Sequence, residues 1–175
     1  ITAVCALTLI AAGLLAIDEP VDRMLPELAD RSVLRAPDAA LTDTVPAGRA
    51  VTVRDLLTST WGFGMQGAMF EAAEPWPVYT ATLERRLHTF GPPEPDDTPD
   101  PDTWIARLGE LPLLAQPGER WLYQTSAQVL GVLIARAAGA PLPQVLHDRV
   151  LSPLGMADTG FHATDVSRLA TQYQR

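Results

Sequence analysis

Residues 1–17 carry no charge and are almost wholly apolar, with no polar face at any helical period. A helix that is apolar on every side is normally buried on every side. The run therefore predicts a core helix over about residues 2–15. Two other readings of such a run are open, a signal-peptide core and a short membrane span. The first lacks a basic segment ahead of it and a clear small-x-small site behind it. The second falls short of the about 20 apolar residues that a span needs, and Gly13 and two Thr interrupt it. A buried helix rarely begins a protein, so the pattern carries the expectation that the chain is cut from within a domain.

Further along, the periodicity shortens. Asp18 and Pro20 suit the cap and first turn of a short helix over 21–28, interrupted at Pro26. Residues 36–50 read as a loop. Thr52-Val53-Arg54-Asp55 has capping-box spacing, with Asp in the place of the usual Glu. The helix it opens stops by Gly62-Phe63-Gly64. Residues 68–87 are expected to be helical in part, broken at Pro75 and Pro77. Residues 91–101 hold five Pro and four acidic residues and predict a solvated surface loop inside one domain. Asp102 is placed to cap a helix over 103–111 with Trp104 and Leu108 on one face. Pro117-Gly118 marks a turn, and 121–123 is extended. Ser126 is placed to cap a helix over 127–138, whose apolar face is Leu130, Leu133, Ile134 and Ala137 and whose stop is Gly139. A further helix is expected over 141–150, then a turn-rich segment over 151–161. Strand signals are few and no repeat is visible, so the pattern alone gives a mostly helical chain.

Composition narrows the function. At 175 residues the chain has the length of one ordinary domain, and 47% hydrophobic with 19% charged residues marks it as globular. A net charge of −8 argues against a nucleic-acid partner, because phosphate binding needs clustered cations. All 13 basic residues are Arg; there is no Lys and no Asn. The single cysteine, Cys5, excludes an internal disulfide and reads as a small buried hydrophobe. No Gly-x-Ser-x-Gly elbow and no His-Glu-x-x-His is present, and Gly62-Phe63-Gly64 follows no long strand, which excludes a nucleotide fingerprint. His88, His147 and His162 are far apart in sequence, and adjacent His147 and Asp148 on one helix make a poor metal pair. Ser126, His147 and Asp148 can be drawn as a triad on paper, with no spacing to support it. Neither a metal nor a cofactor is implied.

The most informative stretch is Pro117-Gly118-Glu119-Arg120-Trp121-Leu122-Tyr123-Gln124-Thr125-Ser126, followed by the helix ending Ala137-Ala138-Gly139 and then Ser152-Pro153-Leu154-Gly155-Met156-Ala157-Asp158-Thr159. In order and spacing these resemble the serine β-lactamase-related family of class C β-lactamases, DD-peptidases and related esterases. There a Pro-Gly turn leads to Tyr-x-Asn, a Leu-Gly-containing helix, a Gly and a Pro-Leu-Gly-Met-x-x-Thr segment. Val53-Arg54-Asp55-Leu56-Leu57-Thr58 resembles the family's segment before a His-x-Ser-Gly turn, where this chain has Ser59-Thr60-Trp61-Gly62. Asp18-Glu19-Pro20-Val21 resembles its Leu-Asp-Asp-Pro-Val segment. The resemblance covers nearly the whole chain.

What the resemblance implies is acyl transfer on an α+β, β-lactamase/transpeptidase-like fold, an antiparallel sheet flanked by helices. Residues 1–175 would be the central, mainly helical part of that single domain, truncated at both ends. Tyr123 falls on the catalytic Tyr position. An ordinary phenol, with a pKa of about 10, is a poor base at neutral pH, and a nearby Lys⁺ favours the phenolate. Thr125 falls on the substrate-binding Asn position, where a hydroxyl offers one donor in place of an amide's two. That departure weakens β-lactamase activity more than generic esterase activity. The nucleophile of Ser-x-x-Lys would precede Ile1 by roughly one helical turn, and Lys-Thr-Gly or His-x-Gly would follow Arg175. Without Lys, neither Ser-x-x-Lys nor Lys-Thr-Gly exists in this chain, which is therefore expected to be inactive alone. Exposing the first helix costs roughly 25 cal/mol per Å² of apolar area, so the isolated chain is expected to be poorly soluble or molten. The implied partner is a small β-lactam, peptide or ester, with no nucleic acid and no membrane; compartment is left open. The alternative is a non-catalytic penicillin-binding-like sensor module that kept the cleft and lost the nucleophile.

Overall fold

The computed structural model describes residues 1–89, 94, 96–163 and 165–171. The sequence-predicted loop over 91–101 lies partly outside these. Helix α1 spans Thr2–Ala11. It packs on α6 (Thr125–Ala138), the longest helix among the described residues, and on α7 (Leu142–Leu146). The expectation of burial on every side is not met. Cys5, Ala6 and Leu9 are sealed, whereas Ile1, Val4 and Leu7 are 62%, 51% and 50% exposed. The reason is geometric: α6, α7 and the π-type turn after α7 all lie on one side of α1. Among the described residues, no single helix is long and apolar enough to cross a membrane.

The expected helix over 21–28 resolves into two 3-10 turns, Val21–Arg23 and Pro26–Leu28, divided where Pro26 removes a backbone donor. Strands β1 (Ser32–Leu34) and β2 (Thr44–Pro46) form an antiparallel pair, and β2 falls within the region read as loop. Leu113 extends this pair on the far side of β1: its N–H donates to Ser32 O at 2.8 Å, and it accepts from Leu34 N at 2.8 Å. The buried Arg31 guanidinium donates to the carbonyls of Gly109 and Leu111, and so fastens the start of β1 to the same segment. Burial pulls this guanidinium down to about 10.

Helix α2 (Val53–Leu57) is opened by the expected capping box, with Thr52 and Asp55 satisfying each other's backbone donors. Helices α3 (Ala68–Glu71) and α4 (Pro77–Glu84) are separated by the proline-bearing stretch, as expected. The cap of α5 (Pro101–Gly109) is Asp100 and not Asp102: its carboxylate accepts from Asp102 N and Thr103 N at 3.1 and 3.0 Å. Pro101 suits the first helical position, which moves the start two residues ahead of the expectation. Trp104 and Leu108 are buried on one face, as the spacing required. Helix α6 begins at Thr125 without a side-chain cap. Ser126, expected to cap, is buried, and its hydroxyl has no partner among the described residues. Gly139 ends the helix at φ +64°. The helix expected over 141–150 is α7 continued by a π-type turn over His147–Leu151.

One ion-pair hub ties these pieces to α6. Arg136 forks onto Glu27 at 2.8 and 2.9 Å, reaches Asp102 at 2.7 Å and donates to Met24 O at 3.0 Å. The Arg136 hydrogen bonds hold the Glu27 carboxyl below its ordinary 4.5. At Asp55, burial pushes upward, but the Arg49 fork at 2.6 and 2.8 Å and the bonds from Thr52 outweigh it, leaving the carboxyl below 3.8. Both groups bind a proton more weakly folded than unfolded. Their contribution is therefore complete above pH 4.5 and lost as pH falls through the lowered folded values. Arg136→Met is expected to cost about 2 kcal/mol and to flatten the acid limb of stability against pH. Denaturant melts from pH 7 to 3 check both; an unchanged acid limb would count against the hub.

Candidate active site

The segment that leads into α6 is held against the loop after α2 by a ladder of backbone bonds. Gly118 N donates to Thr60 O (2.7 Å), and Leu122 N donates to Ser59 O (2.9 Å). Tyr123 and Met65 exchange both of theirs, at 2.9 and 3.0 Å. Close approach is possible because Gly64 has no side chain: a Cβ there would lie 2.6 Å from Tyr123 O and 3.0 Å from Leu122 Cβ. Its φ of +149° also favours glycine. Gly62 has the same function two residues earlier, where a Cβ would lie 2.5 Å from Ala115 O. The Gly-x-Gly that fitted no nucleotide motif lets two segments approach: Gly64 admits the Tyr123 strand, and Gly62 admits the Leu113–Ala115 segment.

Tyr123 emerges from the contact with Gly64 with its side chain over half exposed, beside Trp121 at a ring-centroid distance of 6.1 Å. The next residue, Gln124, has φ +81° and ψ −60°, and Thr125 N donates back to Tyr123 O at 3.2 Å. This is a γ-turn of the strained, positive-φ kind. It reverses the chain within one residue, so that Tyr123 faces outward while α6 starts inward.

Thr125 is placed differently from its expected role. It is fully buried; its hydroxyl donates to Phe63 O at 2.7 Å and lies 3.3 Å from Trp61 Nε1, which donates to it. Its one proton and one lone pair are spent on the interior. Trp61 and Phe63, both sealed and 5.7 Å apart by centroid, brace the start of α6 from below. Thr125 therefore anchors the site from within and presents no free surface to a substrate.

A cavity of about 500 Å³ opens beside Gln124, lined by Met65, Met69, Phe70, Trp76 and Tyr79 among others. Sequence reasoning missed it, because α3 and α4 read only as interrupted helix. The paper triad does not assemble: Ser126 is buried without a partner among the described residues, and His147 is exposed and paired with its neighbour Asp148 at 3.0 Å. His88, Glu94 and Asp97 bring ligand atoms within 4.8 Å of one another. Arg86 also reaches the Asp97 carboxylate, at 3.2 Å.

Comparison with known proteins shows the family and the fold. A family model described as Beta-lactamase matches residues 1–175. Protein Rv1367c of Mycobacterium tuberculosis is 38% identical over 99% of the chain and 40% of its own length. Esterase EstB of Burkholderia gladioli is 35% identical over 99% of the chain and 39% of its own length. Among solved structures, EstCE1, a hydrolase with promiscuous acyltransferase activity, superimposes with a TM-score of 0.74 at 29% identity, covering 98% of the chain and 40% of that protein. The chain thus spans about two fifths of the length of the relatives it matches, and the fold is of the β-lactamase/transpeptidase type.

Proposed function

The chain belongs to the β-lactamase family, and on that premise we propose that it is the tyrosine-bearing segment of a serine hydrolase that transfers acyl groups from small esters. The observation that carries this reading is Tyr123: an exposed phenol on a strand pinned to Met65 by two backbone bonds, next in the chain to Gln124 on the wall of a cavity. Likeness to an esterase at 35% identity supports esters over β-lactams. So does the interior commitment of the Thr125 hydroxyl, which leaves a substrate amide without its usual partner at that position.

In this reading the Ser and Lys of Ser-x-x-Lys come from sequence outside these residues, because the chain has no Lys. The Lys ammonium favours the Tyr123 phenolate. The phenolate takes the Ser hydroxyl proton as the Ser oxygen bonds to the ester carbonyl carbon. As the ester C–O bond breaks, the same proton passes to the departing alkoxide, giving acyl-serine and a free alcohol. Water then repeats the exchange and releases the acid. What Tyr123 supplies is a proton carrier at a fixed position.

The 175-residue chain alone is expected to hydrolyse 4-nitrophenyl butyrate no faster than buffer, whereas the intact gene product hydrolyses it. Turnover by the isolated chain that survives Tyr123→Phe would sink the mechanism. An intact gene product without the Ser and Lys would return the site to a binding role.

A further inference from the structure

We infer that His88, Glu94 and Asp97 form a binding site for one divalent cation of the zinc type, with a fourth position left to water. The inference goes beyond the acyl-transfer reading of Tyr123 and does not depend on it.

Three observations carry it. The first is convergence. Among the described residues, this imidazole and these two carboxylates each bring a ligand atom within 4.8 Å of the others. Two donors on one zinc ion, each about 2.1 Å from it, stand about 3.4 Å apart in a tetrahedron. His88 Nε2 and Asp97 Oδ2 lie 3.0 Å apart, so a separation of about 0.4 Å more admits the ion between them. Glu94 is exposed, and its carboxylate reaches the same ion by a swing of about 1 Å.

The second is anchoring, at both ends of the ligand set. Leu87, next to His88, is sealed; its N–H donates to Thr82 O at 3.0 Å, and its carbonyl accepts from Trp104 Nε1 at 2.8 Å. The His88 side chain is itself only 15% exposed. At the other end Glu94 O accepts from Asp97 N at 3.2 Å, from Thr98 N at 3.0 Å and from Thr98 Oγ1 at 2.7 Å. One turn therefore holds the two acidic residues together.

The third is charge and donor type. Arg86 takes Asp97 Oδ1 at 3.2 Å, which leaves Oδ2 facing His88. A ligating carboxylate is commonly held from behind in this way. Two carboxylates against one guanidinium leave a net negative charge, which favours a cation. The imidazole decides which cation: it suits zinc and its neighbours, whereas magnesium and calcium take oxygen ligands. The ion takes the Nε2 lone pair, and the neutral ring then carries its one proton on Nδ1.

The test is calorimetric titration of Zn²⁺, and in parallel Mg²⁺, into the intact gene product after chelator treatment. The parent protein is expected to bind Zn²⁺ here at least roughly tenfold more tightly than Mg²⁺. Glu94→Gln removes an exposed charge, and His88→Gln keeps most of the bulk of the half-buried ring. Each is expected to weaken this Zn²⁺ site at least roughly tenfold. Glu84→Gln, an exposed acid on α4 outside the cluster, should bind as the parent does. No Zn²⁺ bound at about 1 mM, or Zn²⁺ held equally by the parent and both ligand variants, would overturn the site. Loss on Glu94→Gln without loss on His88→Gln would reduce the cluster to an acidic surface patch, and so would Mg²⁺ bound as tightly as Zn²⁺; either overturns the proposal. The Mg²⁺ comparison reads the imidazole without any variant. Ester hydrolysis does not enter the readout, so a gene product without esterase activity tests the site equally well.

Discussion

Tyr123→Phe in the intact gene product is expected to lower kcat/KM for 4-nitrophenyl butyrate by roughly 10²–10⁴-fold, the usual contribution of one positioned proton carrier. The change removes one oxygen and little else. Both backbone bonds to Met65 remain, because they belong to the main chain. The ring keeps its place beside Trp121. The side chain is 55% exposed, so no buried group is left without a partner. Stability should therefore stay within about 0.5 kcal/mol of the parent. Loss in kcat and in kcat/KM should be equal, since the phenol acts on the reacting bonds and not on ground-state binding. A rise in KM alone would mean that Tyr123 only holds substrate.

Gly64→Ala carries the second large effect, and it strikes fold and site together. The new methyl would sit 2.6 Å from Tyr123 O, in a backbone with φ +149° that side chains rarely adopt. Crowding and strain together are expected to cost about 3 kcal/mol. Relief comes only by moving the Tyr123 strand away from Met65, which misplaces the phenol. Activity should fall more than the folded fraction does, which separates displacement from simple unfolding. Gly67→Ala is the control: nothing lies within 4 Å of its added carbon, and its change should stay within about 0.5 kcal/mol. Similar destabilisation in both variants, read by denaturant melts, would contradict the close contact of Gly64 with the Tyr123 strand.

Much of this was legible from particular residues. The Thr52–Asp55 box, the Trp104 and Leu108 face and the Gly139 stop follow from local rules, and each forms as those rules require. The family was legible because several short motifs, each weak, stand in the right order. What stayed hidden was non-local. Strands β1 and β2 are three residues each, too short for an alternation to register. The use of Gly62 and Gly64 depends on a segment over 50 positions away, which no local window contains. Thr125 falls on an Asn position by motif resemblance, yet the direction of its hydroxyl is set by Trp61 and Phe63. Helix α1 misled for the opposite reason. Uniform apolarity states that every face seeks cover, and says nothing of whether these residues supply it.

The most direct measurement is intact-mass spectrometry of the gene product during turnover of 4-nitrophenyl butyrate, quenched in acid at successive times. A transient gain of one butyryl group on a serine followed three residues later by lysine is expected, formed at least 100-fold more slowly in Tyr123→Phe. No adduct under conditions of measurable hydrolysis, or an adduct that forms equally fast without the Tyr123 hydroxyl, would contradict it.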